Sequence, residues 1–152
     1  MAPNEKGMIM MACAEKFGAG AVRNILRHNR REIEHSSNHD IDPKRLERDY
    51  ILSPDRGMTE YDYFLQRKSE LYCYNRNDVK VMVGWIVTAP QDLDPERYDD
   101  FFCAAYDFLA NRYGEENVVQ AIVHDDEGGQ PHLHFCFVPV AEDPKHEQGY
   151  KI

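Results

Sequence analysis

Long apolar runs, paired cysteines and an excess of positive charge are all missing from this chain of 152 residues. No segment approaches the roughly 18 apolar residues of a membrane-spanning helix, and the N-terminus lacks a signal-peptide pattern. The four cysteines form no CxxC pair, which excludes a zinc ribbon: Cys13, Cys73, Cys103 and Cys136. We expect them to be buried reduced thiols in a cytoplasmic protein. A hydrophobic content of 42% indicates a globular chain, and its length suits one domain.

Positive charge is scarce, because 18 Lys and Arg residues face 27 Asp and Glu residues and give a formal net charge of −9. This balance argues at first against a nucleic-acid partner. The acidic excess lies between residues 90 and 127, however, and residues 23–48 carry more bases than acids. The basic segment can therefore contact phosphate, whereas the acidic segment is typical of a solvated surface.

The hydrophobic pattern predicts an α+β fold, an antiparallel β-sheet with flanking helices packed on one face. Strands are expected at residues 8–13, 48–52, 79–88, 117–124 and 131–139. One helix is expected after the glycines at 18 and 20, with Val22, Ile25, Leu26 and Ile33 on its apolar side. A second opens at a capping box formed by Thr59 and Asp62, and a third runs from Asp94 and Pro95 to Gly114, with Phe108 among its apolar residues.

Three histidines flank a short loop in the stretch VHDDEGGQPHLHFCFVPV, residues 123–140. Side chains alternate along a strand, so His132 and His134 share one face, and Leu133, Phe135 and Phe137 share the other. A simple hairpin register pairs His124 with His132 and brings all three imidazoles to one exposed patch.

Three imidazoles suit a first-row divalent metal, with Asp126 and Glu127 nearby to orient ligands or add an oxygen ligand. A cupin-like site would have a glutamate three or four residues after the second histidine of HxH, and none is there. A histidine-triad hydrolase would have HxHxH, where this chain has Cys136.

A second cluster of polar residues lies in LRHNRREIEHSSNHDID, where His28, Arg31 and His35 recur at helical spacing. Asn38, Asp40 and Tyr50 follow. Taken alone, this pattern also fits an ordinary basic helix surface.

These blocks in order resemble the plasmid mobilisation relaxases of the Pre/Mob (MobV) type, within the HUH endonucleases. The first block is HNxR (His28, Asn29, Arg31), and the second is NxDI (Asn38, Asp40, Ile41) leading to Tyr50 and Leu52. The third is HxDE with a downstream PHxH (His124, Asp126, Glu127, Pro131, His132, His134). The resemblance runs from about residue 17 to residue 139.

The resemblance implies metal-dependent, site-specific nicking and rejoining of single-stranded DNA at a plasmid transfer origin, through a covalent link to the 5′ phosphate. It also implies an HUH relaxase-like sheet with the metal site on a terminal β-hairpin. His124, His132 and His134 would hold Mn²⁺ or Mg²⁺, His28 would be the nucleophile and Arg31 would contact the scissile phosphate. Tyr50 is a second nucleophile candidate, Glu127 is a further catalytic candidate, and Asp126 would orient a ligand. The DNA-binding candidates are Arg23, Arg27, Arg30, Asn38, Lys44, Arg45 and Arg48.

The chain departs from the family pattern in three respects: the loop at 125–131 is one residue longer, the net charge is acidic, and little chain follows the hairpin. We therefore expect a relaxase-like domain at residues 1–140, with a polar tail at 141–152 that marks a possible truncation point. A homodimer would form through segments absent from this sequence. Two alternatives stay open: a rolling-circle replication initiator or HUH transposase-like nuclease acting through Tyr50, and a non-catalytic DNA-binding module that keeps the metal.

Overall fold

A computed structural model describes residues 12–30, 49–74, 76–125, 129–142 and 150–151. The strands are β1 (Ala12–Gly18), β2 (Tyr50–Ile51), β3 (Lys80–Thr88), β4 (Val118–His124), β5 (His132–Phe137), β6 (Ala141–Glu142) and β7 (Tyr150–Lys151). The helices are α1 (Ala19–Asn29), α2 (Glu60–Ser69) and α3 (Tyr98–Tyr113), with short 3-10 turns at Pro95–Arg97 and Glu115–Asn117. None of the helices in these ranges is long and apolar enough to cross a membrane.

Five strands form one antiparallel sheet in the order β1-β3-β5-β4-β2, so the predicted α+β fold is confirmed. The β4–β5 hairpin occupies the middle of this sheet, and β6 pairs with β7 in a separate two-stranded ribbon. The central position of the hairpin gives its side chains neighbours on both flanking strands.

Helices cover both faces of the sheet, and the prediction that they pack on one face only was wrong. On the α3 face, Phe102 of α3 packs with Leu133 and Phe135 of β5. On the α1–α2 face, Val22 of α1 and Phe64 of α2 pack beside other buried residues of the same strands. The sequence of β4, VVQAIVH, is buried throughout and is almost continuously apolar, as expected for a strand covered on both sides.

The expected helix ends are present. The Thr59 hydroxyl accepts a hydrogen bond from the Asp62 backbone N–H at 3.1 Å, and the Asp94 carboxylate accepts one from the Glu96 N–H at 3.0 Å. Gly114 ends α3 with φ of 94°, a left-handed conformation that favours glycine. Local capping chemistry therefore set these boundaries.

Several burial predictions were wrong. Phe108 is 65% exposed, because its position on α3 turns it away from the sheet. Only Cys136 is buried; Cys13 and Cys103 are exposed and Cys73 is half-buried, although all four are free thiols. Cys13 lies on β1, an edge strand of the sheet; residues 8–11 of the predicted strand at 8–13 lie outside the described ranges.

Candidate metal and nucleic-acid site

The three histidines of the hairpin come together at the end of β4 and the start of β5. His124 pairs directly with His132, the predicted register, and His134 pairs with Ile122 one step further along the ladder. The ring centroids lie 4.4–5.6 Å apart, and one nitrogen from each ring falls within 4.8 Å of the others. This spacing approaches what three ligands of one metal need, since metal–imidazole bonds are about 2.0–2.1 Å long. An all-imidazole donor set fits a first-row divalent ion.

The histidine cluster is less exposed than the sequence predicted. His124 is 1% exposed, and His132 and His134 are half-buried, because the C-terminal end of α1 lies over the cluster. The Nε2 atom of His124 lies 2.7 Å from the backbone carbonyl oxygen of Asn29. A carbonyl can only accept, so Nε2 carries the proton, and in the neutral ring the lone pair that binds a metal is on Nδ1.

His28 and a member of the three-histidine cluster line the same cavity. A cavity of about 210 Å³ between α1 and the sheet is lined by both His28 and His134. His28 is half-buried, in the last turn of α1, next to the residue whose carbonyl contacts His124. The structure therefore brings the predicted nucleophile and the predicted metal ligands to the α1–α2 face.

A buried polar network, which sequence reasoning did not identify, joins α1, α2 and β4. Asn29 donates through Nδ2 to Gln120 Oε1 at 2.9 Å, and Gln120 donates through Nε2 to the Leu26 carbonyl at 3.1 Å and to Glu60 Oε1 at 3.0 Å. Gln120 is fully buried, and Glu60 also forms an ion pair with Arg30 at 2.9 Å. A glutamine inside the apolar run VVQAIVH is the sequence signal that could have revealed such a network, because a buried amide needs hydrogen-bond partners.

The thiol of Cys136 lies beside this network, where Asn29 Nδ2 approaches its sulfur at 3.7 Å. Burial, with a smaller contribution from the charge of Glu60, raises the pKa of Cys136 to about 12. The thiol therefore stays protonated at neutral pH and does not act as a nucleophile.

Tyr50 lies on the other side of the sheet. It pairs with Val123 and packs into the α3 face, and its hydroxyl donates to Asp99 Oδ1 at 2.8 Å. Burial raises the pKa of Tyr50 well above its usual value, and the hydrogen bond to Asp99 raises it further. The structure thus does not bring Tyr50 to the three histidines.

Three of the DNA-binding candidates line a groove of about 700 Å³ between α1 and the start of α2: Arg23, Arg27 and Arg30. The Arg23 guanidinium lies 5.5 Å from the centre of the Tyr61 ring in the same groove, while Arg30 is held by Glu60. The remaining predicted site residues lie outside the described ranges: Arg31, Asn38, Lys44, Arg45, Arg48, Asp126 and Glu127.

Comparison with known proteins identifies the family. The Mob_Pre family model, described as plasmid recombination enzyme, matches residues 7–150. A plasmid recombination enzyme of Streptococcus agalactiae is 34% identical over 139 residues, covering 86% of this chain and 28% of that protein. A plasmid recombination enzyme type 1 of Staphylococcus aureus is 35% identical over 141 residues, covering 88% of this chain and 35% of that protein.

Solved structures show the same fold. The manganese-bound MobM relaxase domain in complex with pMV158 oriT DNA superposes with a TM-score of 0.73 and 35% identity, covering 86% of this chain and 70% of that one. Another MobM complex, with a 23-nucleotide oriT DNA, gives a TM-score of 0.67 and covers 91% of this chain and 70% of that one. The chain spans about a third of the length of the curated relatives it matches. By its sequence and its fold, the chain belongs to the Mob_Pre family of plasmid recombination enzymes.

Proposed function

We propose that this chain cuts one strand of DNA at a plasmid origin of transfer, keeps the 5′ phosphate on His28, and then rejoins the strand. The observation that carries the proposal is the cavity that His28 shares with His134, a member of the three-histidine cluster. Membership of the family supports transfer-origin DNA as the substrate, because the MobM relaxase domain is seen bound to oriT DNA. The reaction would take place in the bacterial cytoplasm, where plasmid DNA and reduced thiols occur together.

The chemistry of His28 is a transesterification at phosphorus. The lone pair of a neutral imidazole nitrogen forms a P–N bond, and the P–O bond to the 3′ oxygen breaks with its electron pair. The 3′ oxygen takes up a proton and the imidazole loses one, so a phosphoramidate and a free 3′ hydroxyl result. Attack by that hydroxyl on the phosphoramidate reverses every step and reseals the strand without an external energy source.

His124, His132 and His134 would hold the metal, for which Mn²⁺ fits the nitrogen donors better than Mg²⁺. When bound, such an ion polarises the phosphate and stabilises the charge that develops on its oxygens. The contribution of the chain is to hold the ligands in place: the Asn29 carbonyl orients His124, and the Gln120 network keeps Asn29 and the end of α1 in position. Arg31 and Glu127 are proposed to assist at the phosphate, and Asp126 to orient a ligand, on the strength of the family motifs alone.

Single-stranded DNA would approach along α1. Arg23 and Arg27 line the groove beside Tyr61, and their guanidinium groups are suited to phosphate contacts while the ring is suited to stacking on a base. Asn38, Lys44, Arg45 and Arg48 would extend this contact.

His28 is preferred to Tyr50 as the nucleophile because the sheet separates Tyr50 from the three histidines. Tyr50 packs on the α3 face and donates a hydrogen bond to Asp99, whereas the three-histidine cluster faces α1. A tyrosine nucleophile, as expected for the replication-initiator alternative, would have to reach a phosphate through the sheet.

The test is formation of a covalent protein–DNA adduct on labelled single-stranded oligonucleotides from plasmid transfer origins, beginning with the pMV158 oriT DNA bound by MobM. Reactions with and without Mn²⁺ would be resolved on a denaturing gel for the parent, His28→Ala and Tyr50→Phe. We expect a manganese-dependent adduct that His28→Ala abolishes and Tyr50→Phe retains.

The other outcomes separate the alternatives. Loss of the adduct in Tyr50→Phe alone would reject His28 and favour the replication-initiator chemistry. Binding of DNA without an adduct at any origin would favour the non-catalytic DNA-binding module.

A further inference from the structure

The cavity beside His28 is larger than the attack of an imidazole on a phosphate requires. It has a volume of about 210 Å³ and lies under α1 and over β1, β3 and β5, where residues other than His28 and His134 form most of its wall. Most of its wall away from these two histidines is apolar, and includes Phe17, Ile25 and Ile86. An apolar cavity next to a polar reacting centre is suited to bind an apolar part of the same substrate.

Gly84 gives the cavity its depth. It lies on β3 directly between Glu15 of β1 and Cys136 of β5, so all three belong to the same face of the sheet. A Cβ atom added at Gly84 would lie 3.2 Å from the Phe17 ring and 3.5 Å from the Cys136 sulfur. Every other residue type would therefore fill the floor of this space, which glycine leaves open.

The charge of the cavity favours a nucleobase over a phosphate. Apart from the two histidines and the thiols of Cys13 and Cys136, Glu15 is the one ionisable residue among the described residues of its wall, and it is exposed. A carboxylate at that position repels phosphate but accepts hydrogen bonds from the amino groups of bases. The flat apolar faces of a base match the Phe17 ring, since bases stack on aromatic side chains.

We propose that this cavity holds the base of one of the two nucleotides that flank the cleaved phosphate, and that Glu15 selects a base with an amino group. The inference rests on the proposed nicking function, because His28 defines where the phosphate lies. Binding of this base would fix the register of the strand, so the cavity acts as a specificity site that sets which phosphate is cut.

The experiment uses single-stranded DNA selected from a random pool on the full chain in the presence of Mn²⁺. The nick is mapped on the selected sequence, and each position is then replaced in turn by an abasic nucleotide. Binding is followed by fluorescence anisotropy both with Mn²⁺ and with the metal chelated, so the readout does not depend on activity. The proteins are the parent, Gly84→Ala, Glu15→Gln and two matched controls, Gly20→Ala and Glu142→Gln.

We expect an abasic nucleotide at one position flanking the nick to weaken binding by the parent about tenfold, the size of one lost stacking contact. Gly84→Ala should bind intact DNA about tenfold more weakly and show no further loss with the abasic DNA. Gly20→Ala has open space around its added methyl group and should behave like the parent. At the nucleotide position where the abasic substitution weakens binding, Glu15→Gln should reduce the preference for amino-bearing bases over thymine. Glu142→Gln should leave that preference unchanged.

Equal binding of intact DNA and of both flanking abasic substitutions by the parent would overturn the inference, as would full abasic sensitivity in Gly84→Ala. If Gly84→Ala fails to fold, Glu15→Gln still decides, because this exposed residue leaves the core intact. Failure of the nicking proposal would appear differently, as bound DNA that is never cut.

Discussion

The two faces of one sheet carry different kinds of interior. The α3 face is aromatic and apolar: Tyr106 meets Phe135 edge to face, and Tyr113 stacks on Phe137 at 3.9 Å between ring centres. The α1–α2 face buries Gln120, Asn29 and His124 and contains the cavity beside His28. Because side chains alternate along β4 and β5, the same strands supply stability on one side and chemistry on the other.

The two faces differ in how closely stability and function depend on the same side chains. Residues of the α3 face make contacts that any well-packed core makes, whereas residues of the α1–α2 face hold donors and acceptors that only one arrangement satisfies. Substitutions on the two faces should therefore differ in the ratio of lost stability to lost metal and DNA chemistry.

The largest effect on stability is expected for Phe135→Ala. Phe135 is fully buried in the centre of the α3 face, so its truncation should cost about 3–5 kcal/mol of unfolding free energy. Urea unfolding followed by circular dichroism measures this loss. Mn²⁺ affinity of the folded fraction should stay within a few-fold of the parent, and a large drop would show that the two faces are coupled.

The largest effect on metal binding is expected for His132→Ala. Removal of one of three ligands should lower Mn²⁺ affinity by more than the roughly 10- to 100-fold that loss of an outer partner costs. Isothermal titration calorimetry measures the affinity, and the unfolding free energy of the metal-free protein should change little because His132 is only half-buried. His28→Ala is the matched control, a histidine on the same face outside the ligand set. Equal loss of affinity in both variants would contradict the ligand assignment.

Gln120→Leu should produce an intermediate effect in which function suffers more than stability. The leucine has similar bulk but leaves Asn29, the Leu26 carbonyl and Glu60 without this partner, at a cost of about 1–3 kcal/mol. Because Asn29 orients His124, Mn²⁺ affinity and the rate of adduct formation should also fall.

Val119→Ala provides the comparison for Gln120→Leu. Val119 is a buried neighbour on β4 whose truncation should cost a similar unfolding free energy without removing a polar partner. If both variants lose Mn²⁺ affinity in proportion to their stability, Gln120 is a core residue and not a positioning residue.

Local patterns predicted the parts of this molecule that depend on neighbours in sequence. The pairing of His124 with His132 follows from alternation and a short loop, and the start of α2 follows from the Thr59 cap. The docking of α1 and α2 opposite α3 depends on contacts between residues far apart in the chain, and spacing does not encode them. For the same reason, the contact of the Asn29 carbonyl with His124, 95 residues away, could not be predicted from the sequence.

The smallest effect is expected for Tyr50→Phe on the α3 face, which removes one hydrogen bond to Asp99 and should cost about 0.5–1.5 kcal/mol at neutral pH. Burial first, and then Asp99, raise the pKa of Tyr50, so the folded chain holds the phenol proton more tightly than the unfolded chain does. Tyr50 therefore makes its full contribution to the free energy of unfolding below the ordinary tyrosine pKa of about 10. This contribution falls as the pH rises above that value. Urea unfolding between pH 7 and 11 should show the advantage of the parent over Tyr50→Phe shrinking only above about pH 10. An advantage that instead grew with pH would mean that the phenolate is stabilised in the folded state, and would reopen Tyr50 as a nucleophile.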